Sequence, residues 1–208
     1  MANKRLNIPL RDEDIRELEV GDLVTFDGLI FTGRSRFHIR AIAEDILPPI
    51  DFGEMNVFVH MGPVVLRTGD GWQPIGLGPT SSVRFERYSP AVIRKLRLKA
   101  VIGKTTVREP TIQAMEEVGC IHACPLGAAS MGTVLATRAE VVDVFFKDEL
   151  GATEATWVFR VKNWGPFMVD TDAHGNNYFL QADVSLEERM NRAYTRLGIS
   201  HDFEYTRA

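Results

Sequence analysis

Short runs of β-forming residues, each stopped within a few positions by glycine, proline or a polar turn, constrain the fold of this chain more than any other feature. Helical patterns lie between these runs, with apolar residues at helical spacing after Gly33 and again from Thr111 to Val118. Strands that alternate with helices in this way are typical of an α/β domain. The 208-residue chain contains no internal repeat or linker, so we predict a single domain over residues 1–208, with helices packed to one side of short strands.

The amino-acid composition excludes some classes of function for this chain. The chain is 45% hydrophobic and 25% charged, with a net charge of −4, which is an ordinary profile for a globular protein in water. This mild acidity gives no electrostatic basis for binding nucleic acid or an anionic membrane surface. No apolar run is long enough to span a bilayer, and Met1–Leu6 lacks the apolar core of a signal peptide. We therefore expect a cytoplasmic protein without nucleic acid or membrane partners.

Turn and cap residues predict several local elements. Residues 1–18 are expected to form a polar leader that contains one short charged helix. Asp27–Gly28, between two β-rich runs, predicts a hairpin, and Asn163–Pro166 is expected to separate two later strands. Ser185 and Glu188 have the spacing of a capping box. They predict that a last helix begins there, so that residues 185–208 form a C-terminal helix and tail.

The two cysteines, Cys120 and Cys124, stand in an apolar stretch of the chain. A disulfide is not expected in a reducing compartment. An iron–sulfur cluster needs three or four thiolates, and zinc needs more ligands than these thiols and the nearby His122 supply. We predict that both cysteines are small buried residues in a strand and that this chain alone holds no metal.

The segment Gly78–Arg84 lies between a predicted strand and a predicted helix. Its first two residues, glycine and proline, force a turn. Thr80–Ser82 then brings three hydroxyls and three backbone N–H groups to the start of the helix, which is where anions bind. Arg84 follows within one turn and can bind a carboxylate through two hydrogen bonds. The sequence leaves open a simpler interpretation, a helix cap with Arg84 on a solvated face.

A second basic segment, Arg34–His38, precedes a helical pattern that ends before Pro48. Ser35 is the predicted N-cap, which places His38 at the third helical position. Arg34 would then lie just outside the helix, close to any anion at its N-terminus. A helix-face histidine without a function and a solvated basic patch remain equally open interpretations.

Lys104 follows another predicted strand and comes directly after Gly103. The sequence Gly-Lys-Thr-Thr from Gly103 is similar to the end of a nucleotide-binding P-loop. A P-loop also needs a glycine five residues before Gly103, and Leu98 occupies that position. The nucleotide interpretation is therefore excluded, and a lysine just beyond a strand end remains.

Arg34, Arg84 and Lys104 each follow a separate strand and lie next to glycine, serine or threonine. If these strand ends converge, the three cations form a pocket for a small dianion. With the hydroxyls of Thr80–Ser82 beside them, the pocket would suit a hydroxylated dicarboxylic acid.

Four segments together make the chain, from about Leu18 to Asn177, resemble a known family. They are, in chain order, Gly21–Asp22 with Gly28–Ile30, Arg34–His38, Gly78–Arg84 and Gly103–Lys104. The family is the β subunit, or C-terminal domain, of the iron–sulfur hydro-lyases class I fumarase and L(+)-tartrate dehydratase. The loop Asp172–Asn177 is similar to the tartrate dehydratase β subunit in particular.

The resemblance implies a swivelling β/β/α domain, as in the C-terminal domain of class I fumarase. It implies the β subunit of an α2β2 enzyme whose α subunit binds a [4Fe–4S] cluster through three cysteines. Such an enzyme is a carbon–oxygen hydro-lyase, which adds or removes water on a 2-hydroxy dicarboxylate such as malate or tartrate. The β subunit would be active only together with the α subunit, and the choice between fumarate and tartrate stays open.

The resemblance also assigns roles to residues. It implies carboxylate binding by Arg34, Arg84 and Lys104. It implies proton transfer, or support for it, by His38, Thr80 and Ser81. Ser35 and Thr105 depart from the family pattern, since they stand where the family has aspartate and glycine. An alternative is therefore a stand-alone dicarboxylate-binding or regulatory paralogue without catalysis.

Overall fold

A computed structural model describes residues 1–69 and 71–200. In these residues the strands are β1 (Asn3–Asn7), β2 (Leu23–Gly33), β3 (Val57–His60), β4 (Val64–Thr68), β5 (Gly71–Gly76), β6 (Ala100–Ile102), β7 (Ile121–Pro125), β8 (Ala139–Phe145) and β9 (Thr156–Thr171). The α-helices are α1 (Asp12–Arg16), α2 (Ser35–Ile39), α3 (Ser89–Leu96), α4 (Glu109–Val118), α5 (Ala128–Ala136), α6 (Lys147–Leu150) and α7 (Tyr178–Leu197). A π-helical turn, Arg40–Glu44, extends α2, and a 3₁₀ helix, Ser82–Phe85, precedes α3.

Seven of the described strands form one sheet in the order β1-β2-β3-β6-β7-β9-β8. The pairs β1–β2, β2–β3, β3–β6 and β6–β7 are parallel. Strand β9 pairs antiparallel with both β7 and β2, so that β2, β3, β6, β7 and β9 close into a ring. Strands β4 and β5 form a separate two-stranded ribbon. Sheet and helices together confirm the predicted mixed α/β class, while the swivelling β/β/α arrangement stays a prediction.

Two apolar clusters hold the sheet and helices together. The first contains the large fully buried side chains of β2 and β9: Phe26, Trp157, Phe159, Trp164 and Phe167. The second packs α3 and α4 against the other side of the sheet through Phe31, Phe58, Val92, Ile112 and Met115. Each fully buried side chain of this size contributes about 1.5–3 kcal/mol to stability, so burial against the sheet fixes the positions of the helices.

Strand β2 runs through Asp27–Gly28 without turning back, so the predicted hairpin is wrong. Gly28 has a φ of +127°, and a Cβ there would lie 2.9 Å from the Cβ of Ile8. The pairing of β2 with β9 shifts in register on both sides of Phe26. Because each half of β2 pairs with distant strands rather than with the other half, the Asp-Gly pair forms a bulge instead of a hairpin turn.

Strand β9 is likewise one strand of 16 residues that continues through Asn163–Pro166, where two strands were predicted. A Cβ at Gly165 would lie 2.8 Å from the carbonyl oxygen of Val24, so a glycine is needed for this close approach to β2. The local turn residues bend the strand but do not end it, because pairing with β2, β7 and β8 holds it extended.

The two ends of the chain also differ from their predictions. The predicted leader supplies β1, which pairs in parallel with β2, and the short charged helix α1. Helix α7 begins at Tyr178, because the side chain of Asn177 accepts a hydrogen bond from the backbone N–H of Leu180. Ser185 therefore lies inside the helix and does not start it. Residues 201–208 of the predicted tail lie outside the described residues.

None of the helices in the described ranges combines the length and the apolar composition that a bilayer crossing requires.

Candidate functional site

An open cleft of about 490 Å³ lies between the Gly78–Arg84 segment and helix α5. Its lining residues are Gly62, Val64, Gly76, Gly78, Pro79, Lys104, Gly132 and Thr133. Glycines supply half of this lining, and the N–H of Leu77 donates to the carbonyl of Gly132 at 2.9 Å, which ties the segment to α5. Small residues and close backbone contacts thus leave room for a ligand beside Lys104.

Backbone hydrogen bonds join Thr80–Ser82 to Lys104. The N–H of Thr80 donates to the carbonyl of His60 at 2.7 Å, and the N–H of Lys104 donates to the carbonyl of Thr80 at 2.9 Å. The N–H of Ser82 in turn donates to the carbonyl of Lys104 at 3.0 Å, and Ser81 pairs with Lys104 as an isolated parallel bridge. The structure therefore brings three of the predicted site residues, Thr80, Ser81 and Lys104, together at the ends of β3 and β6.

The predicted anion site on free N–H groups of a helix N-terminus is wrong. Carbonyl oxygens already bind the N–H groups of Thr80 and Ser82, and a four-residue 3₁₀ helix replaces the predicted α-helix. The side chains of Thr80, Ser81, Arg84 and Lys104, by contrast, form no hydrogen bond or ion pair within the described ranges, and those of Arg84 and Lys104 are exposed. An anion at this site would therefore be bound by side-chain hydroxyls and cations rather than by backbone N–H groups.

Arg34 stands at the N-cap of α2, one residue earlier than predicted, so Ser35 is the first helical residue. The side chain of Arg34 lies beside Gly62 of the cleft, since a Cβ on Gly62 would be 3.0 Å from its Cδ. Its Nε is 3.6 Å from Oε1 of Glu154 and has no hydrogen-bond partner among the residues described. Arg34 therefore reaches the wall of the cleft, where Glu154 already compensates part of its charge.

His38, the fourth rather than the third residue of α2, is buried beneath the 3₁₀ helix and is not among the residues that line the cleft. Its Nδ1–H donates to the carbonyl of Arg34 at 2.9 Å, and its ring stacks on Phe85 with the centroids 4.7 Å apart. Burial lowers the pKa of His38 to about 4, so the imidazole is neutral at pH 7. Its Nε2 is buried and has no partner in the described part of the chain.

Four buried side chains, of β3, β7, β9 and the 3₁₀ helix, form a chain of hydrogen bonds that was not predicted from the sequence. Nδ1 of His122 donates to Oδ1 of Asp170 at 2.6 Å, Nε2 of His122 lies 2.7 Å from Oγ of Ser82, and that oxygen lies 2.9 Å from Nδ1 of His60. Each of the four residues is at most 1% exposed. A histidine and an aspartate inside two apolar strands are the sequence features that could have indicated them.

The two cysteines are free and buried, as predicted. Burial raises the pKa of Cys124 to about 12 and raises the pKa of Cys120 as well, so both are thiols and not the thiolates that a cluster needs. Within the described residues, no group of three or more His, Cys, Asp and Glu side chains could hold a metal ion. The residues of this chain therefore do not fit a [4Fe–4S] cluster.

Residues 2–182 match the model of a family described as Fumarase C-terminus. The chain is 33% identical over 187 residues to the L(+)-tartrate dehydratase subunit beta of Escherichia coli K12, which covers 89% of this chain and 91% of that protein. A protein of Methanocaldococcus jannaschii, provisionally named L(+)-tartrate dehydratase subunit beta, is 32% identical over 187 residues, with 88% and 94% covered. A protein of Geobacillus stearothermophilus, provisionally named fumarate hydratase class I, is 34% identical over 188 residues, which cover 90% of this chain and 35% of the longer relative.

Proposed function

Because the chain belongs to the fumarase C-terminus family, we propose that it is the β subunit of a hydro-lyase that adds or removes water on a 2-hydroxy dicarboxylate. The names of relatives that match over most of their length support this proposal. The observation that carries it is the joining of Thr80 and Ser81 by backbone contacts to Lys104, which lines an open cleft, with the side chains of all three unpaired among the described residues.

In this proposal the metal chemistry belongs to an α subunit. The relatives that match along most of their length are named as beta subunits, and the fumarate hydratase relative is far longer than the part that this chain covers. The buried thiols of Cys120 and Cys124 do not suit cluster binding. We therefore assign the [4Fe–4S] cluster implied by the family resemblance to the α subunit of an α2β2 assembly.

The cations of this chain bind the two carboxylates of the substrate. Arg84 offers a planar guanidinium that can form two parallel hydrogen bonds to one carboxylate, and Lys104 offers a point charge on the wall of the cleft. Arg34 lies beside the same wall and helps to orient the second carboxylate. The nearby carboxylate of Glu154 partly neutralises the charge of Arg34. Charge-assisted hydrogen bonds of this kind are each worth about 1.5–3 kcal/mol.

The backbones of Thr80 and Ser81 are joined to the backbone of Lys104, and in this proposal one of their hydroxyls takes the proton-transfer position. A hydroxyl is a weak base at its ordinary pKa, and the nearby ammonium of Lys104 would favour its deprotonated form. His38 is neutral, buried and bound to the carbonyl of Arg34, so it fixes the start of α2 and the position of Arg34.

Anaerobic co-expression with an α subunit that carries three well-spaced cysteines tests the proposal. The purified complex is expected to dehydrate L(+)-tartrate or malate, while the isolated chain is colourless, free of iron and inactive. Dehydration by the isolated chain, or a complex loaded with iron that converts no hydroxy diacid, would contradict the proposal. Titration of the isolated chain with tartrate, fumarate and malate completes the design, since tight binding without a partner indicates the regulatory alternative.

A further inference from the structure

The chain of hydrogen bonds from Asp170 to His60 connects three strands and the 3₁₀ helix. Asp170 lies on β9, His122 on β7, His60 at the end of β3, and Ser82 opens the 3₁₀ helix. The successive donor–acceptor distances are 2.6, 2.7 and 2.9 Å, all within the range of well-formed hydrogen bonds. Because the four residues are buried, water cannot replace any of these bonds without opening the structure.

Two neighbouring members of this hydrogen-bond chain, Ser82 and His60, are bonded to the proposed site through their backbones. The backbone N–H of Ser82 donates to the carbonyl of Lys104 at 3.0 Å, and the carbonyl of His60 accepts from the N–H of Thr80 at 2.7 Å. A change in the position of the Ser82 hydroxyl or the His60 ring therefore moves Thr80 and Lys104 relative to each other.

The Ser82 hydroxyl fits between the two imidazoles because residue 103, packed against it, is a glycine. A Cβ at Gly103 would lie 1.8 Å from Oγ of Ser82 and 3.3 Å from Nε2 of His122. Only a glycine at position 103 admits the Ser82 hydroxyl between the two imidazoles. The glycine before Lys104 thus gives space to the hydrogen-bond chain as well as to the cleft.

We propose that His122 and Asp170 are positioning residues, which act through Ser82 and His60 to hold the backbones of Thr80 and Ser81 beside that of Lys104. Their catalytic relevance rests on the function proposed above, whereas the coupling along the four side chains does not.

The positions of the ring protons on His122 and His60 depend on each other, because both rings are hydrogen-bonded to the Ser82 hydroxyl. If the Ser82 hydroxyl donates to Nε2 of His122, it accepts from Nδ1–H of His60, and if Nε2–H of His122 donates to that hydroxyl, the hydroxyl donates to Nδ1 of His60. Burial keeps the pKa of His60 well below its usual value, so His60 is neutral. A neutral His60 has its proton on one nitrogen only, and the direction of the chain determines which one.

Nitrogen-15 NMR of the histidine rings in the full chain tests the coupling without any assay of activity. In His122→Gln, and separately in Asp170→Asn, the ring signals of His60 are expected to shift, although neither residue is hydrogen-bonded to His60. When either substitution is added to Ser82→Ala, the signals are expected to stay where Ser82→Ala alone places them. Unchanged His60 signals in both single variants, or equal shifts with and without Ser82, would overturn the proposal.

Activity of the complex with the α subunit tests the positioning role, with Asp172→Asn as the matched control. Asp172 is 2% exposed and accepts from the backbone N–H groups of His174 and Asn176, but it has no bond to the four-residue chain. We expect Asp170→Asn to lower kcat at least tenfold and to change KM less than threefold, because the exposed cations still bind substrate. Asp172→Asn should stay within twofold of the unaltered complex in both constants.

The positioning role would be overturned if Asp170→Asn and Asp172→Asn lowered kcat equally. It would also be overturned if the drop in kcat of Asp170→Asn were fully explained by a smaller amount of folded complex. If the unaltered complex converts no hydroxy diacid, the proposed function fails, and the NMR result still decides whether the four side chains are coupled.

Discussion

Thr105 has a φ of +64°, a left-handed backbone conformation that β-branched residues rarely adopt. It directly follows Lys104 and stands where the family resemblance places a glycine. The left-handed conformation costs an L-residue about 1–2 kcal/mol, and a glycine there would cost less than that in conformational entropy. The structure thus shows a strained residue at the edge of the proposed site.

We expect Thr105→Gly to raise the free energy of unfolding by about 1 kcal/mol, because the strain outweighs the added entropy of the unfolded chain. Urea denaturation measures this change. Thr137→Gly is the control, since Thr137 is exposed with a φ of −70° and its replacement should lower stability instead. Destabilisation of similar size in both variants would show that position 105 is not strained.

Buried histidines make stability depend on pH. The folded pKa of His38 is about 4, below the value of about 6.5 in an unfolded chain, so the unfolded state binds more protons between these limits. Stability is therefore fully present above about pH 6.5 and is lost as the pH falls, with the depressed pKa of His60 acting in the same direction.

From these pKa values, His38 alone should account for a loss of about 2 kcal/mol between pH 7 and pH 5. Urea unfolding at the two pH values measures the loss in the unaltered chain and in His38→Gln, which should lose less. If the two proteins lose equal stability on acidification, the assignment of the pH dependence to His38 fails.

Part of the site could be predicted from the sequence, and the reasons are local. Thr80, Ser81 and Lys104 follow strand ends with glycine nearby, and the structure joins them by a backbone bridge. The contact between His122 and Asp170 could not be predicted, because it depends on the pairing of β7 with β9 and spans 48 residues of sequence. The roles assigned to Arg34, Arg84 and His38 stay predictions.

At the scale of elements, strands β2 and β9 show where sequence reasoning fails. Asp27–Gly28 and Gly165–Pro166 are strong turn formers, yet each lies inside a continuous strand. Local propensity specifies a bend, and pairing with distant strands decides whether the bend becomes a turn or a bulge. Shorter elements were predicted more closely: the helical pattern from Thr111 to Val118 lies within α4, Glu109–Val118, and a strand, β6, precedes Lys104 as predicted.

Gly28→Ala tests the bulge in β2. With a φ of +127° and a Cβ that would lie 2.9 Å from Ile8, the added methyl group strains the backbone and displaces the connection that follows β1. We expect a loss of about 2–4 kcal/mol in the free energy of unfolding, measured by urea denaturation. Gly71→Ala is the control, because the nearest atom to its Cβ would be 3.8 Å away and its cost should be below about 1 kcal/mol. Similar small costs in both variants would be evidence against the bulge.

At the scale of the whole molecule, the fold places Lys104 on the wall of an open cleft, and the proposal assigns the chemistry that would activate a substrate hydroxyl to another chain. Arg84 and Lys104 are exposed, and no acidic side chain within the described ranges forms an ion pair with either. In the proposed complex with an α subunit, their charges are therefore available to a dicarboxylate.

The most direct measurement of this account is kcat/KM for tartrate or malate dehydration by the assembled complex carrying Arg84→Ala. The control is Arg87→Ala, an exposed arginine just beyond the 3₁₀ helix, whose guanidinium lies 5.4 Å from the centre of the Tyr88 ring. The account predicts that Arg84→Ala costs on the order of 2–4 kcal/mol in transition-state binding, roughly a 30- to 1000-fold loss, while Arg87→Ala stays within about threefold. Equal kcat/KM values for the unaltered complex and Arg84→Ala would contradict the claim that the cations of this chain bind the substrate carboxylates.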